Sequence, residues 1–107
     1  MEQLANVVIF ITTSTEKEAH KIADVLLNQR KTACVNIVAR VNSLFWWEDK
    51  IDSAQESFLI VKTKASLINE IVKIVKDNHS YDIPEIIALP VIGGNQAYLD
   101  WVNHEVR

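Results

Sequence analysis

The run Ala33-Cys34-Val35-Asn36-Ile37-Val38-Ala39-Arg40-Val41-Asn42-Ser43-Leu44-Phe45-Trp46-Trp47-Glu48-Asp49-Lys50-Ile51-Asp52-Ser53-Ala54-Gln55-Glu56-Ser57-Phe58-Leu59-Ile60-Val61-Lys62-Thr63-Lys64 decides the fold. It reads as one long antiparallel hairpin. The first arm is rich in Val, Ile, Phe and Trp, and the second centres on Ser57 to Val61. Both compositions suit a pleated, half-buried surface. The polar run Glu48 to Ser53 supplies turn residues between them. Arms this long exceed the usual strand of about 5 to 6 residues, so they outrun what a small sheet pairs internally. Unpaired edges of that length invite another chain.

Working outward, Asn6 to Thr12 is apolar on both faces, as a covered central strand would be. Thr15 with Glu18 three residues on has capping-box spacing and starts a helix predicted to run to about Arg30. Ala19, Ile22, Ala23, Leu26 and Leu27 form its apolar stripe. Beyond the hairpin, Ala65-Ser66 is expected to cap a second helix from Leu67 to about Asn78. His79 to Glu85 reads as a loop, because Pro84 removes a donor and holds Ile83 extended. Ile86 to Ile92 is the last strand, and Pro90 puts it at an edge or ends it there. Gly93-Gly94 breaks the chain, and Asn95 caps a short terminal helix, Gln96 to Glu105.

This order predicts an α+β, ferredoxin-like βαββαβ fold with a long hairpin between its second and third strands and a short C-terminal helix. Residues 1–107 are expected to form a single domain. Both long helices of that fold cover one face of the sheet. The first strand nevertheless presents Val7, Ile9 and Ile11 to one face and Val8 and Phe10 to the other, and the third does the same with Leu59 and Val61 against Phe58 and Ile60. A partner subunit is the physical remedy for the open face. The apolar fraction of 49% points the same way, being high for so small a chain.

Several classes are excluded by composition. A net charge of −3 with no basic run longer than Arg30-Lys31 argues against nucleic acid. No apolar run is long enough for a membrane helix, and the first six residues carry no export pattern, so a cytoplasmic location is expected. One cysteine makes no internal disulfide and no zinc cluster. No P-loop, dinucleotide glycine pattern or Ser/His/Asp motif stands out, so no enzyme is expected. Thr12 to Thr15 stand where a small metal chaperone of this fold needs Cys-x-x-Cys, and the exposed aromatic motif of an RNA-recognition domain is missing.

On Ala33 to Ile37, Trp47 to Lys50, Lys62-Thr63, Tyr81 to Glu85 before Ile86 to Pro90, and Tyr98 to Trp101, the chain resembles the CutA family of divalent-cation tolerance proteins. Each piece alone is weak, and five in order over nearly the whole length are specific. The resemblance implies a homotrimer assembled like the PII signalling proteins, with the long strands exchanging edges around a threefold axis. It also implies a part in tolerance of copper or another divalent cation, by ligand or metal binding rather than catalysis. The copper ligands proposed for some bacterial members are a Cys ending the first strand and a His pair before the Tyr. Here those positions hold Ile11 and Asn78, with His79 alone retained.

Cys34 and His79 are therefore the candidate metal ligands. Cys34 reads either as a soft Cu(I) ligand or as a small packing residue, and His79 either as a ligand or as a complement to a helix dipole. His20 with Asp24 reads as a surface pair. Trp47, Lys50, Lys62, Tyr81 and Glu85 read as a cleft for a small anionic ligand between subunits, or as an interface network of the same groups. Trp46 and Trp47 point to opposite faces, so one of them is expected to pack against another subunit. The alternative functions are an enzyme without a recognised motif and a PII-like metabolite sensor.

Overall fold

The computed structural model describes residues 5–107; the reading of the first residues as lacking an export pattern lies outside them for Met1 to Leu4. The elements are β1 (Asn6–Thr13), α1 (Glu16–Asn28), β2 (Cys34–Trp47), β3 (Lys50–Lys64), a 3₁₀ turn (Ala65–Leu67), α2 (Ile68–Asn78), β4 (Ile86–Pro90) and α3 (Gln96–Glu105). The four strands form one antiparallel sheet in the order β2-β3-β1-β4, the ferredoxin-like arrangement.

The core lies between the sheet and α1 and α2. Ile9, Ile11, Leu59 and Val61 are fully buried on one sheet face against Ile22, Leu26, Ile71 and Val75 of the helices. Each such side chain contributes about 1.5–3 kcal/mol by leaving water. The opposite face of the same strands is only half covered at Val8, Phe10, Phe58 and Ile60, and Phe10 and Phe58 meet with ring centroids 5.1 Å apart. Ile87 and Leu89 of β4 are exposed beside them.

The Thr15 hydroxyl accepts from Glu18 N at 3.1 Å, as a helix cap should. Glu18 departs from the reciprocal half of the box: its carboxylate accepts from Ser14 N at 3.2 Å and from Ser80 N at 2.8 Å. α1 stops at Asn28, short of the expected Arg30, because Arg30 turns into the left-handed region with φ 59°. Its N–H and that of Lys31 close back onto Leu27 O and Leu26 O, a Schellman ending built without glycine. The expected Ser66 cap of α2 is absent. Lys64 and a 3₁₀ turn lead in, and no side chain caps the helix.

The hairpin turn is shorter than expected. Glu48 and Asp49, at φ 49° and 63°, make the whole turn, and Lys50 to Ser53 already belong to β3. Two successive positive φ values match a primed turn, whose twist suits paired strands. β3 pairs with β1 only from Ser57 to Lys64, so residues 50–56 pair with 41–47 alone. This two-stranded ribbon projects from the four-stranded body. A bulge between Val38 and Val41 marks its base, where the Ser57 hydroxyl donates to Ala39 O at 2.7 Å.

Candidate functional site

The loop between α2 and β4 is fastened at one end of the sheet. His79 Nδ1 accepts from Tyr81 N at 3.0 Å, which leaves Nε2 to donate to Thr12 O at 2.7 Å. The His79 and Tyr81 rings lie 4.9 Å apart. Tyr81 then donates its phenol to Glu56 Oε2 at 2.9 Å, just where β3 parts from β1. Glu56 is buried, a carboxylate on the strand parity that otherwise holds Phe58 and Ile60. Burial pushes the Tyr81 phenol up to about 12, with the Glu56 hydrogen bond and charge adding to it. Burial, then the Glu56 charge, also raises the Glu85 carboxyl. For Glu18 burial pulls upward, but hydrogen bonds from Ser80 and Ser14 outweigh it and hold the carboxyl below its usual range.

A phenol whose pKa is raised in the folded state stabilises the fold below its ordinary value near 10 and loses that contribution as pH climbs toward about 12. The Tyr81→Phe variant is therefore expected to lose stability at neutral pH and to show a shallower decline between those two values than the wild type. Urea midpoints across that alkaline range are the check, and parallel declines would contradict the assignment.

Lys62 lies at the other end. It pairs with Val8 and Cys34 across its two neighbouring strands, and its Nζ sits 5.8 Å from the centroid of the Tyr98 ring on α3. Lys62 and Tyr98 border a cavity of about 220 Å³ whose apolar lining includes Val8, Leu99 and Val102. Six residues of strand separate Lys62 from Glu56, about 20 Å. Trp47 and Lys50 are a cross-strand pair at the hairpin tip, farther away still. One chain thus brings together Trp47 with Lys50, and Tyr81 and Glu85 with Glu56, but does not bring Lys62 to either group.

Cys34 and His79 do not meet within one chain. Cys34 stands opposite Lys62, whereas His79 holds the carbonyl of Thr12, whose partner is Phe58 four residues along β3. Both imidazole nitrogens are engaged, and Cys34 Sγ has Asn36 Oδ1 at 3.9 Å. Among the described residues no three His, Cys, Asp or Glu side chains converge as a cation site. The donors of a single chain therefore do not fit a copper centre. His20 pairs with Glu16 at 3.4 Å rather than with Asp24, on the solvent side of α1.

Two contributors had no sequence signal strong enough to single them out. Glu56 is visible only as a carboxylate on an apolar strand parity, and Tyr98 stands out in the sequence only as part of the Tyr98 to Trp101 stretch, with nothing to link it to Lys62. Among the described residues no helix is long and apolar enough to cross a membrane.

Residues 7–105 match the family described as CutA1 divalent ion tolerance protein. The rice protein named Protein CutA 1, chloroplastic, is 39% identical over 102 residues, covering 95% of this chain and 58% of its own length. This chain thus spans little more than half of that relative. The divalent-cation tolerance protein CutA of Archaeoglobus fulgidus is 43% identical over 99 residues, covering 92% of this chain and 96% of that protein. A solved structure described as the periplasmic divalent cation tolerance protein CutA from the same organism superposes with a TM-score of 0.92 at 41% identity, over 95% of this chain and 99% of that one. With the projecting β2-β3 ribbon and the ferredoxin-like sheet, these likenesses establish that the chain belongs to the CutA1 divalent ion tolerance family.

Proposed function

We propose that the protein is a homotrimer that contributes to tolerance of divalent cations, copper among them, by binding a ligand rather than by catalysis. The observation that carries the tolerance reading is the family match across residues 7–105. Trimer formation draws its support from the ribbon. Residues 41–47 and 50–56 have no strand beyond each other, and a lone two-stranded ribbon is marginal in water. Leu44, Trp46, Trp47 and Ile51 on it are 60–74% exposed in the single chain. Edge pairing and apolar burial against two further copies remove both costs.

No step in this reading runs through a resident copper centre, since Cys34 and His79 of one chain are apart. A cytoplasmic location accords with the free Cys34 thiol, the sole cysteine of the chain. The test is genetic. In a host deleted for its own CutA, the wild-type chain is expected to restore growth on copper(II) and zinc(II) salts, and the chain with Trp46→Ala and Trp47→Ala is not. Failure of the wild type to restore growth would contradict the tolerance reading.

A further inference from the structure

Two charged groups on the open face of the sheet are incomplete within one chain. Lys62 is half buried, and among the described residues no carboxylate stands within ion-pair distance of it. Its ammonium has only the face of Tyr98, 5.8 Å from the ring centroid. Glu56, on the same strand parity, is buried with the Tyr81 phenol as its hydrogen-bond donor. Glu85 lies toward it, with its carboxyl raised first by burial and then by the Glu56 charge. Among the described residues no ion pair reaches either carboxylate, although Arg40 borders the same recess as Glu56. Partly desolvated charges without counter-charges are costly to keep, and each of these two groups lacks what the other holds.

Between them runs the apolar stripe of Val8, Phe10, Phe58 and Ile60, the face left for other copies to cover. The stripe therefore carries a cation at one end and two carboxylates at the other, about 20 Å apart along β3. Copies that met by like ends would leave both charges unpaired. A head-to-tail contact joins one patch to a different patch of the next copy, and it makes a ring when the rotation closes. The turn acids Glu48 and Asp49 are poorer partners for Lys62, because both are exposed and cost little when left unpaired. We propose that in the trimer Lys62 of each copy reaches the Glu56–Glu85 carboxylates of the next copy, giving three equivalent charge-paired contacts around the ring. The inference rests on the homotrimer proposed above and names the residues that meet across it. It also brings Lys62 to Tyr81 and Glu85, from which one chain holds it apart.

Charge reversal, read by sedimentation velocity over a dilution series, tests the contact. Lys62→Glu and Glu85→Lys are each expected to weaken it by about tenfold or more. Both changes in one chain reverse the pair instead of breaking it, and assembly should return to within about threefold of the wild type. Glu85 is reversed rather than Glu56, which leaves the Tyr81 bond in place. Carbodiimide, which joins an ammonium to a carboxylate only where the two touch, supplies the second measurement on the unmodified sequence. In assemblies mixed from isotope-labelled and unlabelled chains, peptide mass spectrometry is expected to find Lys62 of one chain joined to Glu85 or Glu56 of another.

The proposal is overturned if neither reversal weakens the assembly, if the doubly reversed chain assembles no better than the single variants, or if Lys62 couples only within its own chain. Coupling of Lys62 to Glu48 or Asp49 of another copy would assign the cation to the hairpin tip and overturn it equally. A wild type that forms a trimer indifferent to both reversals removes this contact and leaves the homotrimer standing, whereas a monomeric wild type removes the homotrimer and the contact with it.

Discussion

Replacing Trp46 and Trp47 together by Ala is expected to turn the proposed trimer into smaller species at micromolar concentration. The two indoles lie on opposite faces of the β2-β3 ribbon and are 74% and 60% exposed in the single chain. A buried tryptophan removes about 150–250 Å² from water. At about 25 cal/mol per Å², each indole covered by a neighbour contributes several kcal/mol, so even partial coverage makes a hot spot of 2 kcal/mol or more. The double variant should then weaken each subunit contact by at least about 30-fold, read by sedimentation velocity over a dilution series. Lys62 and the Tyr81–Glu56 bond are remote from the tip, so the fold of each protomer should persist, as far-ultraviolet circular dichroism can establish. An unchanged trimer would move the interface away from the ribbon.

Ile9→Ala should damage the protomer itself. Ile9 is fully buried at the centre of β1, flanked by Val61 on β3 and Ala88 on β4, with the helix core against it. Deleting its outer carbons leaves a cavity that the surrounding strands cannot close, and such changes cost about 2–5 kcal/mol. Phe10→Ala, one residue on and facing the open side, provides the contrast. Phe10 is half buried in the single chain, beside Phe58. Its penalty should grow with protein concentration if the proposed assembly covers that face, whereas the penalty at Ile9 should not depend on it. Urea unfolding at two concentrations separates the pair, and a concentration-dependent loss at Ile9 alone would contradict the division of faces.

That division was legible in the chain itself. Val7, Ile9 and Ile11 alternate with Val8 and Phe10, and the structure puts the first set under the helices and the second on the open face. Asn95 as the cap of α3, with its side chain accepting from Ala97 N at 3.1 Å, and Pro90 as the end of an edge strand were equally readable. Each follows from a local rule about donors and caps.

The misread points have one cause: the local signal was weaker than the tertiary demand. Arg30 ends α1 in a conformation that favours glycine, and it does so while its guanidinium reaches Glu105 Oε2 at 2.7 Å. Lys50 to Ser53 look like turn residues, yet they pair with Leu44 to Trp47 once Glu48 and Asp49 have reversed the chain. In a ribbon with no helix over it, nothing requires apolar alternation. The candidate site was legible as residue types but not as geometry. Lys62, Tyr81 and Glu85 were singled out by their chemistry as one cleft, and only the structure shows that Lys62 lies by Tyr98 while Tyr81 and Glu85 lie toward Glu56.

The measurement that bears most directly on the account is the native mass of the untagged wild-type protein. Three chains of 12.2 kDa give 36.6 kDa, and the open sheet face together with the unpaired ribbon edges predict that species across the micromolar range. A monomer at 12.2 kDa, stable on concentration, would mean that the half-covered face and the exposed indoles tolerate water, and it would contradict the account at its root.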